Sequence, residues 1–334
     1  MSNQTGQTGR STDAPLVGLD DIRAAADRIA GVVLRTPVIA LPHPTRPEEL
    51  LHCKAESLQP TGAFKLRGAY NTIAQVLDQA RANGIVAQSS GNHARAVAWL
   101  AHRLGLRAVI VMPDAAPANK VAAVRALGAE VELVPAARRD IRPLELAAEG
   151  YVHVPPYDDP RIIAGQGTVG LELLEQVPDL DVVLVPVSGG GLISGVATAV
   201  KALRPEVRVV GIEPELAADA AESLREGRRI GWEPERTYRT VADGLRTTAL
   251  GVHPWEHVRR YVDEIVTVTD EQILAAMRHL AIEGRLVVEP SGAVAVAAWM
   301  HDVVPAGARS AAVVSGGSVD PALLASVLGR VQPI

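Results

Sequence analysis

The sequence of 334 residues predicts an α/β fold of largely parallel sheet, divided into two domains. Three observations predict it. From about residue 84 onward, short β-branched runs alternate with alanine-rich helical stretches. The runs are apolar throughout, the pattern of strands covered on both faces. Glycine- and serine-rich turns follow several runs and open the next helix.

The strand-like segments are 108–112, 131–134, 182–187, 207–212, 265–269 and 311–314. Helical segments lie between them at 92–104, 118–127, 192–203, 271–283 and 292–300. The units between 84 and 156 are compact enough for a small mobile domain inserted into a larger one formed by 16–83 and 157–334. Pro155-Pro156 makes a stiff boundary, and Asp158-Asp159-Pro160 supplies a helix start. Residues 220–261, with Trp232 and Trp255, read as a loop-rich excursion over the sheet. Residues 1–15 are expected to be a disordered tail. Their composition, rich in Ser, Thr, Gly and Gln, also excludes a secretory signal.

Hydrophobic residues make up 48% and aromatics only 3%, so Ala, Val, Leu and Ile must fill the core. A net charge of −5 argues against a nucleic-acid footprint. No run of about 18 apolar residues occurs, so no membrane span is expected. Residues 182–200 come nearest and are broken by Pro186 and glycines. Cys53 is the only cysteine, which excludes an internal disulfide and fits a reducing cytoplasm.

Four of the 33 basic residues are lysines: Lys54, Lys65, Lys120 and Lys201. A chain so inclined to arginine keeps lysine where arginine cannot substitute, and a desolvated amine can attack a carbonyl whereas a guanidinium cannot. Lys65 lies within Thr61-Gly62-Ala63-Phe64-Lys65-Leu66-Arg67-Gly68; the plain alternative is a lysine that solvates a helix. Ser89-Ser90-Gly91-Asn92-His93 opens a helix with free N–H groups, suiting a carboxylate or serving as an ordinary cap. Ser188-Gly189-Gly190-Gly191 repeats the arrangement and suits a phosphate; the alternative is a tight turn needing one positive φ. Ser315-Gly316-Gly317-Ser318 follows the last strand. Ligands gather at the carboxyl ends of parallel strands, so all three loops face one side. A phosphate cradle, a carboxylate cradle and an unpaired lysine together suggest a phosphorylated aldehyde cofactor joined to an amino acid. Neither G-x-G-x-x-G nor G-x-x-x-x-G-K-[ST] occurs, which removes support for dinucleotide and nucleoside triphosphate sites.

These motifs, with Thr240-Val241-Ala242-Asp243-Gly244-Leu245 and Glu289-Pro290-Ser291-Gly292, resemble the serine/threonine dehydratase and serine racemase family over about residues 18–332. That family belongs to the fold type II pyridoxal phosphate enzymes (tryptophan synthase β-like), whose active site lies between two α/β domains. The resemblance implies that Lys65 forms an imine with pyridoxal 5'-phosphate and moves protons at Cα. Phe64 and Gly244 would flank the pyridine ring, Asn92 would lie near its phenolic oxygen, and Ser315 would face its nitrogen. Ser188, Gly189, Gly190, Gly191 and Leu192 would hold the phosphate. Ser89, Asn92 and His93 would hold the substrate carboxylate, with Ser90 as a second acid/base group opposite Lys65. Glu213, the carbonyl of Ala217 and Asp219 resemble a site for Mg²⁺ or another divalent cation.

The resemblance thus implies a cytoplasmic homodimeric ammonia-lyase acting on a small β-hydroxy amino acid such as L-threonine or L-serine. A serine racemase and a 3-hydroxyaspartate dehydratase stay open on the same site. Arg95 stands where the family usually has Gln, and Ser318 replaces the more usual Asn. Arg138, Arg139 and Arg142 occupy a shortened segment at 135–149, where an arginine could meet a second carboxylate or simply lie at the surface. The sequence stops after the last catalytic-domain helix, so no C-terminal regulatory domain is expected.

Overall fold

The computed structural model describes residues 16–302 and 307–329, so the tail expected at 1–15 lies outside the described residues. Ten strands occur among the described residues: β1 Val38–Pro42, β2 Leu50–Ala55, β3 Ile85–Gln88, β4 Ala108–Pro113, β5 Glu130–Val134, β6 Val152–His153, β7 Val182–Pro186, β8 Arg208–Pro214, β9 Glu264–Val268 and β10 Ser310–Val314. They form a six-stranded sheet in the order β1-β2-β10-β7-β8-β9 and a four-stranded sheet in the order β5-β4-β3-β6. Every pairing is parallel except β1 with β2, where Ile39 lies opposite Cys53. Every residue of β7 and β10 is buried, as strands covered on both faces require.

The helix Pro160–Gln176 begins as the sequence suggested. Asp159 caps it by accepting from the Arg161 amide at 2.7 Å, and Pro160 occupies the first turn. Its glycines let two other helices approach closely. A Cβ on Gly165 would lie 2.6 Å from Gly68 Cα in the helix Lys65–Gln75. On the other side, a Cβ on Gly195 in the helix Gly191–Leu203 would lie 2.3 Å from the Ile163 carbonyl oxygen. The helix that starts at Lys65 and the helix that starts behind the triple glycine are thereby fixed against one common helix. Leu66, Ala69 and Ile73 also share the core of the four-stranded sheet with Ile85, Ala87, Ile110 and Met112.

Residues 220–261 are more helical than the sequence suggested. The helix Asp219–Glu226, a short turn Pro234–Thr237 and the helix Val252–Tyr261 account for much of the segment. Arg236 stacks over the Trp232 ring at 3.1 Å, an arginine contact that needs no regular pattern in the sequence.

Candidate active site

The four lysines separate cleanly by partner. Lys54 pairs with Glu172 at 2.6 Å, Lys120 with Asp243 at 2.6 Å and Lys201 with Asp263 at 2.8 Å. Lys65 has no carboxylate partner among the described residues; its Nζ donates to the Pro156 carbonyl oxygen at 2.6 Å and lies 5.1 Å from the centre of the Phe64 ring. Burial of the amine lowers its pKa to about 8. The amine also stands at a helix N-terminus, where the dipole disfavours a cation.

The three loops converge on this lysine. Ala63 bridges to Gly316, the Phe64 amide donates to the Ser315 carbonyl at 3.1 Å, and the Gly317 amide donates to the Gly62 carbonyl at 2.8 Å. The loop after β10 is therefore stitched to the lysine motif. Asn92 Nδ2 donates to Glu289 Oε1 at 2.5 Å, and a Cβ on Gly316 would lie 3.0 Å from that nitrogen. This ties the loop after β3 to the same place. Gly190 alone of the triple glycine has a positive φ, +88°. Gly189 is glycine for another reason, since a Cβ there would lie 2.4 Å from the Tyr157 ring, and Gly191 has the Tyr157 backbone 3.1 Å from its would-be Cβ. The glycine run thus reflects one special turn and the close packing of Tyr157, while the amides that open the helix Gly191–Leu203 remain free to bind an anion. Leu192, in the first turn of that helix, is buried.

Ser188 Oγ lies 2.7 Å from Thr247 Oγ1. Ser315 is buried and its hydroxyl donates to the Ser291 carbonyl at 3.3 Å. Ser291 Oγ accepts from the Gly244 amide at 2.8 Å, which fixes the 240–245 turn beside the cleft. Ser89 Oγ accepts from the Gly91 amide at 3.0 Å, and Ser90 is half-buried at the head of the helix Asn92–Leu104. The His93 ring is tied to the neighbouring strand. The buried ring shares a 2.8 Å hydrogen bond with the Val154 carbonyl, and burial, with Lys65 nearby, depresses its pKa to about 3. The ring is a neutral tie to the end of β6, which leaves the backbone amide as the part of His93 available to a carboxylate.

The model of the pyridoxal-phosphate dependent enzyme family matches residues 29–316. The chain belongs to that family. An L-threonine ammonia-lyase of Thermotoga maritima is 41% identical over 326 residues, covering 94% of this chain and 79% of the relative. An L-threo-3-hydroxyaspartate ammonia-lyase of Saccharomyces cerevisiae is 40% identical, covering 90% of this chain and 93% of the relative. The structure of maize serine racemase is 40% identical with a TM-score of 0.86, covering 93% of this chain and 97% of that one. The resemblance carried by the motifs therefore holds, and the fold is that of the type II pyridoxal phosphate enzymes.

The residues present fit that cofactor. A half-buried lysine without an acidic partner among the described residues, free amides at a helix start, and an Asn92 Oδ1 that is buried without a hydrogen-bond partner belong to segments tied to one another by the contacts above. Several of these features carried no local signal. Tyr157, Thr247, the Pro156 carbonyl and the Ser291 hydroxyl matter through contacts distant in sequence.

A second polar cluster lies after β8. Glu213 is fully buried and accepts from the Ala220 and Ala221 amides at 3.2 and 2.8 Å. Burial and the neighbouring Asp219 raise its pKa, while burial raises that of Asp219 to about 7. Asp219 Oδ2 is buried with no partner. No group of three or more His, Cys, Asp or Glu side chains suited to a metal occurs among the described residues, so a cation here would draw on the two carboxylates, carbonyl oxygen and water.

Arg138 pairs with Glu145, Arg139 with Asp140, and Arg142 with Glu132 and Glu149. Arg95 Nη1 donates to Ser318 Oγ at 2.9 Å. No described helix is long and apolar enough to cross a membrane.

Proposed function

We propose that this enzyme is an ammonia-lyase that converts a β-hydroxy amino acid, L-threonine or L-serine, into a 2-oxo acid and ammonia. The observation that carries the proposal is Lys65: half-buried with a desolvated amine, without a carboxylate partner among the described residues, and beside serine- and glycine-rich loops. Pyridoxal phosphate, when bound, supplies the electron sink that makes Cα of the amino acid acidic. Ser188, the Gly189–Gly191 backbone and Leu192 would hold its phosphate at the helix start, with Phe64 and Gly244 beside its ring. Asn92 would lie at its phenolic oxygen and Ser315 at its ring nitrogen.

Lys65, with an amine that is neutral just above its pKa of about 8, is suited to bond the cofactor and to take the Cα proton as a general base. Ser89, the Asn92 side chain and the His93 amide, at the start of a helix, are suited to hold the substrate carboxylate. Ser90, on the other side of the substrate, is the second proton-moving group. Ser315, a neutral hydroxyl, would give the ring nitrogen no negative partner, which would suit elimination of the β-hydroxyl. Water leaves in the elimination and is taken up again when ammonia is released, so the net products are one 2-oxo acid and one ammonium ion.

The likeness to maize serine racemase favours racemisation as a second reading, since Lys65 and Ser90 would also serve that chemistry. A 3-hydroxyaspartate substrate has support in the yeast relative, but the arginines at 138, 139 and 142 are already paired with carboxylates. Residues 84–156 are proposed to move as a small domain against 16–83 and 157–334. Exposed contacts such as Lys120–Asp243 and Arg95–Ser318 are among those that join the two and break at little cost, whereas Leu66, Ala69 and Ile73 join them through a shared apolar core. Glu213, Asp219 and the Ala217 carbonyl are proposed to take Mg²⁺ or another divalent cation, supported by the unpartnered Asp219 oxygen. A cytoplasmic homodimer completes the reading, Cys53 being a lone buried thiol.

The test is a panel of L- and D-serine, L-threonine and 3-hydroxyaspartate, scored for 2-oxo acid and for configuration. Release of 2-oxobutanoate from L-threonine is expected. Recovery of the opposite enantiomer with no 2-oxo acid would replace the lyase with the racemase.

A further inference from the structure

Glu289 belongs to a quoted motif but has no role in the chemistry above. It is only 5% exposed and stands immediately before the helix Pro290–Met300 of the larger sheet. Its Oε1 accepts from Asn92 Nδ2 at 2.5 Å, joining that helix to the loop after β3. A Cβ on Gly316 would lie 2.1 Å from Oε1 and 3.0 Å from Asn92 Nδ2, so the glycine leaves the space that this carboxyl–amide pair fills. The opposite end of the amide, Asn92 Oδ1, is buried and unpartnered. An ionised carboxylate only accepts hydrogen bonds, so it can hold an amide only by its nitrogen; a protonated acid can donate and hold the oxygen.

We propose that Glu289 is a positioning residue whose protonation decides which end of the Asn92 amide faces the cofactor. The inference rests on the pyridoxal phosphate reading. Both states of Glu289 are accessible near neutrality. Burial and Asp243 raise its pKa to about 7 against the opposing effects of Asn92, Lys120 and Arg95, which are the groups facing it from the neighbouring elements. The carboxylate form leaves the second Asn92 N–H and Oδ1 for the occupant of the cleft. The acid form reverses that presentation and changes the hydrogen bonding offered to the phenolic oxygen of the ring.

The experiment is a pH titration, between about pH 6 and 8.5 around that pKa, of the visible absorbance of the holoenzyme. Wild type, Glu289→Gln, Asn92→Ser and Lys65→Ala are compared. The wild type should show a spectral step centred near pH 7. Glu289→Gln keeps a hydrogen-bonding side chain that neither gains nor loses a proton there, so the step should vanish while the band persists. Asn92→Ser, which removes the amide, should lose the step as well. Glu289→Ala should bind pyridoxal phosphate about tenfold more weakly, the effect of losing a hydrogen bond to a charged group. A band whose step survives in Glu289→Gln or in Asn92→Ser, or a wild type without a step, overturns the inference. Failure of wild type to develop any band that Lys65→Ala abolishes overturns the cofactor reading itself, a distinct outcome.

Discussion

Lys65 Nζ donates its 2.6 Å hydrogen bond to a carbonyl oxygen, that of Pro156, and not to a carboxylate. The distinction matters for reactivity. A carbonyl can accept from an ammonium or from an amine, whereas the full negative charge of a carboxylate would hold the proton on the lysine far more strongly. Pro156 also immediately precedes Tyr157, the residue packed on Gly189 and Gly191. The Lys65 amine and the loop at 188–191 are therefore positioned by neighbouring residues of one segment.

From this relationship follows a first prediction. Lys65→Ala should abolish covalent attachment of pyridoxal phosphate and reduce elimination by at least ~10²–10⁴-fold, the range for loss of a positioned acid/base group. Lys65→Arg should fail equally, because a guanidinium forms no imine. Mass spectrometry after borohydride reduction reads the attachment. A reduced adduct on either variant would remove Lys65 from the chemistry.

Attachment should also depend on pH in a fixed direction. Burial lowers the Lys65 pKa to about 8, so the neutral amine becomes the major form as pH rises through that value. The rate at which the cofactor-free enzyme takes up pyridoxal phosphate should climb between about pH 7 and 8.5 and then level off. An amine with an ordinary lysine pKa would keep climbing beyond pH 10. Stopped-flow absorbance separates the two profiles.

Arg67, two residues beyond Lys65, is held inside the protein by carboxylates. It pairs with Glu56 at 2.8 Å and Glu172 at 2.7 Å, and Lys54 shares Glu172. The Arg67 and Glu56 side chains are fully buried. Arg67→Ala should destabilise the fold by ~3–5 kcal/mol, since it strands a buried charge. Pairing it with Glu56→Leu should recover much of that loss in chemical denaturation, because no lone charge then remains.

How much of this was legible in the sequence depends on the range of the signal. The parallel strands followed from apolar runs between helices, and the helix start at Pro160 followed from its proline and Asp159. The lysine motif and the three loops were visible because each is contiguous. The antiparallel pair β1–β2 gave no comparable alternation, with Pro42 at one end and β2 nearly buried throughout its second half. The packing of Tyr157 on Gly189 and Gly191 had no local signal, because it joins residues more than thirty positions apart. Likewise the motif around His93 carries no sign that its ring bonds to the distant Val154 carbonyl.

The pair Glu213 and Asp219 leads to the last prediction. Both pKa values are raised by burial, with Asp219 about 7, so the folded state holds protons that the unfolded chain releases near pH 4. Without a cation, the contribution of this pair to stability therefore falls as pH rises from about 4 to 7. A divalent cation requires both groups ionised and would offset the repulsion between them, so its effect has the opposite dependence. Mg²⁺ should raise the melting temperature more at pH 8 than at pH 5.5, and Asp219→Asn should remove most of that difference. At saturating metal, ~100 times the dissociation constant, the gain should approach ~2.7 kcal/mol. Equal shifts at both pH values, or a full shift in Asp219→Asn, would place the cation elsewhere. The substitution should also stabilise the metal-free protein above pH 7, because it removes a carboxylate that the fold prefers to keep protonated.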